Sequence, residues 1–167
     1  RNILCIRGPE SAVTTQERAK GCRQAIVDFG EPCRLKIHGN EFSIQNGYTE
    51  TKVALMKPNM PTAIFTMSTN ILLGTIKAIN EQGLKIPDDI SVISFDDSVY
   101  LDYLNPAITR VAQPTENMAL AAVKKMINCL KEGKQLQSKI FMAPTLIAKD
   151  SIKIINPYTA HHEQPEG

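Results

Sequence analysis

Two adjacent carboxylates follow the most strand-like run in this sequence. The run Ile90–Phe95 carries three aliphatic side chains and ends in an aromatic residue, and Asp96 and Asp97 come directly after it. Such a run is typical of a strand buried in a parallel sheet, and open sheets of this kind bind ligands beyond the carboxyl ends of their strands. The pattern therefore places two acids at the edge of a ligand crevice.

Polar and aromatic residues also follow the other predicted strands, and we expect them to meet the two acids at the same edge. Arg18, one turn into the first predicted helix, can reach back over this edge. A guanidinium, carboxylates, hydroxyls and flat rings suit a polyhydroxylated or heterocyclic small molecule. Sugars in particular are bound by Arg and Asp contacts to neighbouring hydroxyls, with an aromatic ring stacked beneath. The segments concerned are Gly8–Thr15, His38–Phe42, Ser68–Asn70 and Phe95–Asp97.

Each candidate also has a purely structural interpretation. Arg18 on an amphipathic helix could be a solvated surface residue, and Asp96 could cap the turn after its strand. Phe42 could fill the core beneath its loop, and Thr14 and Thr69 could cap helices. The residue types alone leave these alternatives open.

Residue types that catalysis would need are poorly placed. His161 and His162 lie in a polar tail, so two of the three histidines cannot complete a Ser-His-acid set. The turn Arg7-Gly-Pro-Glu10 lacks the glycine spacing and the lysine of a phosphate-binding loop. A metal-bound phosphoacceptor at Asp96-Asp97 would require acids after the first strand and a lysine after the last, and neither is found. We therefore expect neither an enzyme nor a bound cofactor.

The composition indicates one globular domain without a DNA-binding surface. The chain has 167 residues, of which 43% are hydrophobic and 22% charged, and its net charge of +2 gives no basic footprint. No apolar run reaches the length of a membrane span, and no secretory leader is visible. The four cysteines form no C-x-x-C pair, so we expect reduced, buried thiols in a cytosolic protein and no zinc site. Because the chain starts in a strand without an initiating Met, we interpret it as a fragment.

Apolar periodicity alternates between strand-like and helix-like segments. Four such units, joined by short Gly/Pro turns, predict a Rossmann-like α/β fold: a parallel sheet with helices on both faces and right-handed crossovers. A short strand at 108–112, a helix at 115–132 and strand-like runs at 140–142 and 145–149 follow, and the tail from Asn156 to Gly167 reads as disordered. The predicted strands of the series are 3–6, 33–37, 63–67 and 90–95, and Thr14 or Thr15 and Asn70 would cap the first and third helices.

The stretch from Ile90 to Pro114 resembles the ligand-sensing domain of the lac repressor/gal repressor (LacI/GalR) family of bacterial transcription regulators. It carries, in order, Ile90-Ser-Val-Ile-Ser-Phe-Asp-Asp97, Tyr103-Leu-Asn-Pro106, Thr109-Arg-Val and Gln113-Pro114. The resemblance covers Ile3 to Ser151 and implies the type 1 periplasmic-binding-protein fold, in which the chain crosses three times between two lobes. It implies that residues 1–98 and 139–153 form the C-terminal effector-binding lobe, 106–134 a segment of the N-terminal lobe and 154–167 a tail. The DNA-binding head would be absent from this chain.

The same resemblance assigns effector contacts. The run Thr14-Thr-Gln-Glu-Arg18-Ala-Lys-Gly21 looks like the family helix whose Arg contacts the effector. Asp96 matches the effector-contacting Asp, and Phe95 is the aromatic residue before it. Phe42 falls near the sequence position of the aromatic residue that stacks on the effector in the family. Thr69 matches a family position that often carries a polar effector contact. Asn70 and Ser94 depart from the family, which more often has Asp and Gly there.

The function implied by the resemblance is gene regulation. A small effector, a sugar or sugar derivative, would bind between the lobes, and a homodimer would transmit the change to two operator-binding heads in the cytoplasm, away from any membrane. The alternative is an exported sugar-binding protein of a transport system, which shares the fold but has no DNA-binding head. Scattered cysteines disfavour export.

Overall fold

The computed structural model describes residues 1–30, 32–133 and 139–154. Strands and helices alternate along this part of the chain, as the periodicity predicts. Except for Ile154, the predicted tail lies outside the described residues. The elements in chain order are β1 (Asn2–Ile6), α1 (Val13–Phe29), β2 (Arg34–His38), α2 (Ile44–Leu55), β3 (Ala63–Thr66), α3 (Thr69–Glu81), β4 (Ser91–Phe95), a 3-10 helix (Val99–Asp102), β5 (Thr109–Ala112), α4 (Thr115–Glu132) and β6 (Thr145–Ile147).

The strands form a single six-stranded sheet in the order β2-β1-β3-β4-β5-β6. β1 to β5 are parallel to their neighbours, and β6 runs antiparallel to β5. The predicted Rossmann-like α/β class is thus confirmed, whereas the strand-like run at 140–142 has no strand structure. Because the parallel strands share one direction, β1, β3, β4 and β5 all end at the same edge.

The face of the sheet that carries the larger core packs against α2 and α3. Alternate strand residues such as Leu4, Ile64 and Val92 lie in one buried cluster with Ile71 and Leu72 of α3. The two helices approach at backbone distance: a Cβ built on Gly47 would lie 2.1 Å from the Ile71 carbonyl oxygen, and one on Gly74 would lie 1.9 Å from the Ile44 carbonyl oxygen. Glycine at these two positions therefore sets the spacing of the helix pair.

The opposite face packs against α1, so helices cover both faces as predicted. Cys5 of β1, Ala19 of α1 and Met67 form the buried part of a second, smaller cluster. Phe29, at the end of α1, lies outside this cluster: it is 53% exposed, and its ring lies 5.3 Å from the Arg1 guanidinium carbon. A smaller buried area on this side leaves an open groove beside α1.

The position of β5 requires a correction to the expected division at residue 106. β5 is hydrogen-bonded to β4 within the sheet, with Phe95 opposite Val111, so residues 109–112 belong with β1 to β4 and not with another lobe. The alternation of residues predicts a strand but not its partner, and here the free edge of β4 supplies it. The remaining lobe boundaries stay a prediction.

Helix α4 has the exposed apolar face that the two-lobe interpretation predicts. It contributes no residue to the buried core, and Val123, Met126 and Leu130 are 50%, 57% and 77% exposed. Water-exposed side chains of this size forgo about 1.5–3 kcal/mol each relative to full burial. The face is therefore available to a surface that the described residues do not supply.

Candidate functional site

Arg18 lies at the carboxyl edge of the sheet, where the sequence places the candidate site. The buried neighbour Ala19 holds this turn of α1 against the sheet, so the Arg18 side chain extends over the strand ends. Its Nη1 donates a hydrogen bond to the Met67 carbonyl oxygen at 2.6 Å, and its Nη2 lies 3.8 Å from Asp96 Oδ1. The side chain is 14% exposed, which argues against the solvated-surface interpretation.

The Arg18 guanidinium also stacks on an aromatic ring. Its central carbon lies 3.7 Å from the centroid of the Phe95 ring, within the range of a cation–π contact. Burial lowers the pKa of Arg18 and the Asp96 carboxylate opposes that shift, but an arginine remains charged at neutral pH. The structure thus brings Arg18, Phe95 and Asp96 together, although their role toward a ligand stays a prediction.

Asp96 has a strained backbone at the end of β4. Its φ of 75° lies in the left-handed region, and it is the one non-glycine residue with positive φ in the described chain. Asp tolerates this region better than most residues, and such strain is concentrated at functional sites. The Asp96 N–H donates to the Val111 carbonyl oxygen at 3.0 Å, and Gln113 Nε2 donates to Asp96 Oδ1. The carboxylate is therefore fixed between β4 and β5.

Asp97 belongs to a separate ionic cluster. Arg110 of β5, 4% exposed, donates to Asp97 through Nε and to both carboxylate oxygens of Asp102 at 3.0 Å. Lys149 Nζ lies 3.0 Å from Asp102 Oδ1. Hydrogen bonds from Arg110 and Lys149 lower the pKa of Asp102 to about 2. This cluster fastens the loop after β4 to the sheet, so the two adjacent acids have different surroundings.

Phe42 lies above the turn that follows β1. A Cβ built on Gly8 would lie 2.3 Å from the Cζ atom of Phe42, so a larger residue at this position would have to displace the ring. Phe42 is half-buried and also packs against the larger core cluster. The interpretation of Phe42 as a core residue is therefore supported. The Phe42 ring remains partly exposed at the carboxyl edge of the sheet.

The two threonine candidates do not cap their helices. Ala12 is the N-cap of α1 and makes no side-chain cap hydrogen bond, so the predicted cap at Thr14 or Thr15 is wrong. Ser68 caps α3 by accepting from the Ile71 N–H, so the predicted cap at Asn70 is also wrong. Capping depends on the residue just before the helical backbone begins, and the prediction began both helices slightly late. Thr14 is exposed and Thr69 half-buried.

Ser94 and Asn70, the two residues that depart from the family pattern, each make a hydrogen bond within the fold. The buried Thr66 hydroxyl donates to Ser94 Oγ at 3.1 Å, which satisfies a hydroxyl where the family prefers Gly. Asn70 Nδ2 donates to the Phe42 carbonyl oxygen at 3.4 Å, a contact that an Asp could not make. Both residues therefore support the edge of the site from within the fold.

Sequence reasoning missed the residues that hold the candidate side chains. The Met67 carbonyl, the Gln113 amide and Arg110 are not distinctive by residue type, and their contacts exist only because β3, β4 and β5 are adjacent. The motif Gln113-Pro114 is the one sequence signal that indicates Gln113.

A cavity of about 410 Å³ adjoins this edge, between β4, α4 and the segment that precedes β6. Phe95, Gln113, Met118 and Phe141 are among its lining residues. Within residues 1–30, 32–133 and 139–154, no group of three or more His, Cys, Asp or Glu side chains is placed to hold a metal ion. Of the helices that the structure describes, none combines the length and hydrophobicity that crossing a bilayer needs.

Comparisons with known proteins agree with this architecture. The family profile described as "Periplasmic binding protein-like domain" matches residues 1–152. The HTH-type transcriptional regulator DegA of Bacillus subtilis (strain 168) is 32% identical over 156 residues, covering 93% of this chain and 46% of DegA. The ribose operon repressor of Haemophilus influenzae is 28% identical over 155 residues, covering 91% and 46%. The chain thus spans about half the length of the curated relatives it matches.

A solved structure shares the fold. The crystal structure of a LacI-family transcription repressor from Corynebacterium glutamicum superposes with a TM-score of 0.83 at 23% identity, covering 90% of this chain and 57% of that one. The chain belongs to the family of periplasmic-binding-protein-like domains, and the resemblance to LacI/GalR regulators that the sequence predicts is confirmed.

Proposed function

We propose that this chain is the effector-sensing part of a transcription regulator and that its effector is a sugar or sugar derivative. The observation that carries the proposal is the arrangement of Arg18, Asp96 and Phe95 at the carboxyl edge. Arg18 is held by one backbone hydrogen bond and one ring contact, and its 3.8 Å separation from Asp96 is too long for a direct hydrogen bond. Both charged groups therefore keep hydrogen-bonding capacity for a ligand.

The chemistry of the site suits neighbouring hydroxyl groups. A hydroxyl can donate to the Asp96 carboxylate while the next one accepts from an Arg18 N–H, and a ligand ring can lie against Phe42 or Phe95. Thr14 and Thr69 add hydroxyls from the first turns of α1 and α3. Gln113 holds Asp96 in place, so the ligand meets a preorganised carboxylate.

The site has one wall in this chain, and the second would come from another lobe. We place the sheet, with β5 and β6, in the C-terminal effector-binding lobe and the part of 106–134 beyond β5 in the N-terminal lobe. The exposed apolar face of α4 would pack there. An effector that contacts both lobes favours one lobe orientation, and a homodimer would pass that change to operator-binding heads outside this chain.

In this proposal the chain itself does not contact operator DNA. Its net charge of +2 does not provide the basic surface that phosphate contacts require. We propose a cytoplasmic site of action and no enzymatic activity, since the candidate residues at the carboxyl edge of the sheet have the chemistry of ligand contacts.

Binding of sugars by the intact protein tests the proposal. Isothermal titration with a panel of monosaccharides and sugar acids should identify a ligand, and that ligand should change the protein's affinity for operator fragments selected from genomic DNA. Arg18→Ala should weaken ligand binding by about 1.5–3 kcal/mol, roughly 10- to 150-fold, as expected for a charge-assisted hydrogen bond.

Lys20→Ala is the matched control, because Lys20 is an exposed cation on the same helix and its loss should leave affinity unchanged. Unchanged affinity in Arg18→Ala would remove Arg18 from the site. Binding of planar heterocycles in place of sugars would refute the ligand class, and sugar binding without any effect on DNA binding would refute the regulatory role.

A further inference from the structure

Two thiols meet between β1 and α1, outside the effector site. Cys5 is buried in β1 and Cys22 is half-buried on α1, and both belong to the smaller core cluster with Ala19 and Met67. Cys22 packs against the buried part of the cluster, which contains Cys5, and the interaction of the two thiols shifts the pKa of both. A strand and the helix packed on it therefore bring two thiols into one cluster, although the cysteines are 17 positions apart in sequence.

The pKa values of the two thiols are shifted in opposite directions. The hydrogen bond from Cys5 lowers the pKa of Cys22, and the positive charge of Arg23 acts in the same direction while burial opposes it. The pKa of Cys5 is raised well above its usual range, because its proton is held in that hydrogen bond and the thiol is buried. Since the thiolate is the nucleophile, these directions favour Cys22 as the sulfur that reacts first.

Small molecules can reach this pair from the open side of α1. A groove of about 650 Å³ runs between α1 and the sheet, and both Cys5 and Cys22 line it. Its walls are mostly apolar, including Ile26, Phe65 and Ile93. The groove is wide enough for a molecule such as hydrogen peroxide.

We propose that Cys5 and Cys22 form a reversible oxidation site that closes to a disulfide in response to a hydroperoxide. In the first step the Cys22 sulfur attacks the peroxide; the O–O bond breaks, Cys22 becomes a sulfenic acid and one water leaves. In the second step the Cys5 thiol attacks the Cys22 sulfur, an S–S bond forms and the displaced hydroxyl leaves with the thiol proton as a second water. One peroxide is reduced by two electrons, and the pair supplies both.

The disulfide would tie the middle of α1 to β1. Cys22 lies four residues after Arg18, which places both side chains on the same face of the helix. The bond would thus restrict the helix that carries Arg18, whether or not that residue contacts an effector.

Peptide mapping of the intact protein tests the inference. After brief treatment with hydrogen peroxide and alkylation of free thiols, a non-reducing digest should contain the Cys5 peptide linked to the Cys22 peptide, with the loss of two hydrogen atoms, and dithiothreitol should separate them. In Cys5→Ser the linked peptide should be lost and a Cys22 sulfenic acid should be trapped by dimedone. Cys33→Ser is the control that should retain the linked peptide.

The mapping result on the unaltered protein is decisive even if a serine variant fails to fold. Both peptides alkylated in full after peroxide would overturn the inference. So would oxidation of Cys22 to sulfinic acid without linkage to Cys5, or a disulfide between two protein molecules.

Discussion

Alanine in place of Gly74 should weaken the packing of α2 against α3. The Cβ of an alanine at this position would lie 1.9 Å from the Ile44 carbonyl oxygen and 2.5 Å from the Tyr48 backbone nitrogen. Both obstacles are backbone atoms of α2, so no side-chain rotation can relieve the overlap. The two helices would have to move apart, and the cluster around Ile71 and Leu72 would loosen with them.

Two effects of opposite sign decide the magnitude. Glycine to alanine within a helix gains about 0.5–1 kcal/mol of unfolding free energy from the reduced freedom of the unfolded chain. Overpacking against a close-packed neighbour costs about 1–3 kcal/mol or more, and here the obstacle cannot rotate away. We therefore take the upper end of that cost and expect a net loss of about 2–2.5 kcal/mol, which corresponds to a decrease of about 4–10 °C in Tm for a domain of this size.

Gly21 of α1 provides the matched control. It lies inside a helix as Gly74 does, but a Cβ built there meets nothing within 4 Å. Gly21→Ala should therefore raise the unfolding free energy by about 0.5–1 kcal/mol. Thermal and urea unfolding of both variants, followed by circular dichroism, measures the difference. Equal shifts of the same sign in the two variants would refute the backbone contact between α2 and α3.

Three further predictions concern the site and its supports. The stability that Asp102 contributes should be complete above its unfolded-state pKa of 3.8 and should be lost as the pH falls toward its folded-state pKa of about 2; Asp102→Asn should flatten that part of the curve of unfolding midpoint against pH, and an unaltered curve would contradict the cluster. Thr15 Oγ1 is buried without a hydrogen-bond partner among the described residues, so Thr15→Val should raise the unfolding free energy by about 1 kcal/mol, and a loss measured by urea unfolding would indicate a hidden partner. Gly8→Ala should displace the Phe42 ring and weaken ligand binding in calorimetry, and ligand affinity equal to that of the unaltered protein would separate Phe42 from the site.

The sequence predicts the elements of the fold better than it predicts their ends. The β-strands around Ile64 and Val92 are apolar runs between turn residues, and α3 has a regular apolar face, so local patterns identify them. Helix starts are less certain, since Ala12 and Ser68 occupy the cap positions where Thr14, Thr15 or Asn70 were expected. A cap depends on where the backbone turns helical, and several neighbouring residues can serve chemically.

The candidate site could also be predicted only in part from the sequence. Arg18, Phe95 and Asp96 could be proposed from residue type and their positions at the ends of predicted strands, and the structure places them in contact distance of one another. Asp96 and Asp97 are equivalent by residue type, and only the family resemblance singles out Asp96. Only the pairing of β5 with β4 brings Arg110 to Asp97 and Gln113 to Asp96, and so gives the two acids different surroundings.

The sequence by itself determined the α/β alternation, the edge at which polar groups collect and the family to which the chain belongs, because these depend on local periodicity and on short motifs. The tertiary structure alone decided that β5 joins the sheet, that α2 and α3 meet at Gly47 and Gly74, and that Cys5 and Cys22 share one cluster. Each of these contacts joins residues far apart in the chain. Such contacts depend on the burial and hydrogen bonding of the whole domain. No single segment of the sequence contains enough information to predict them.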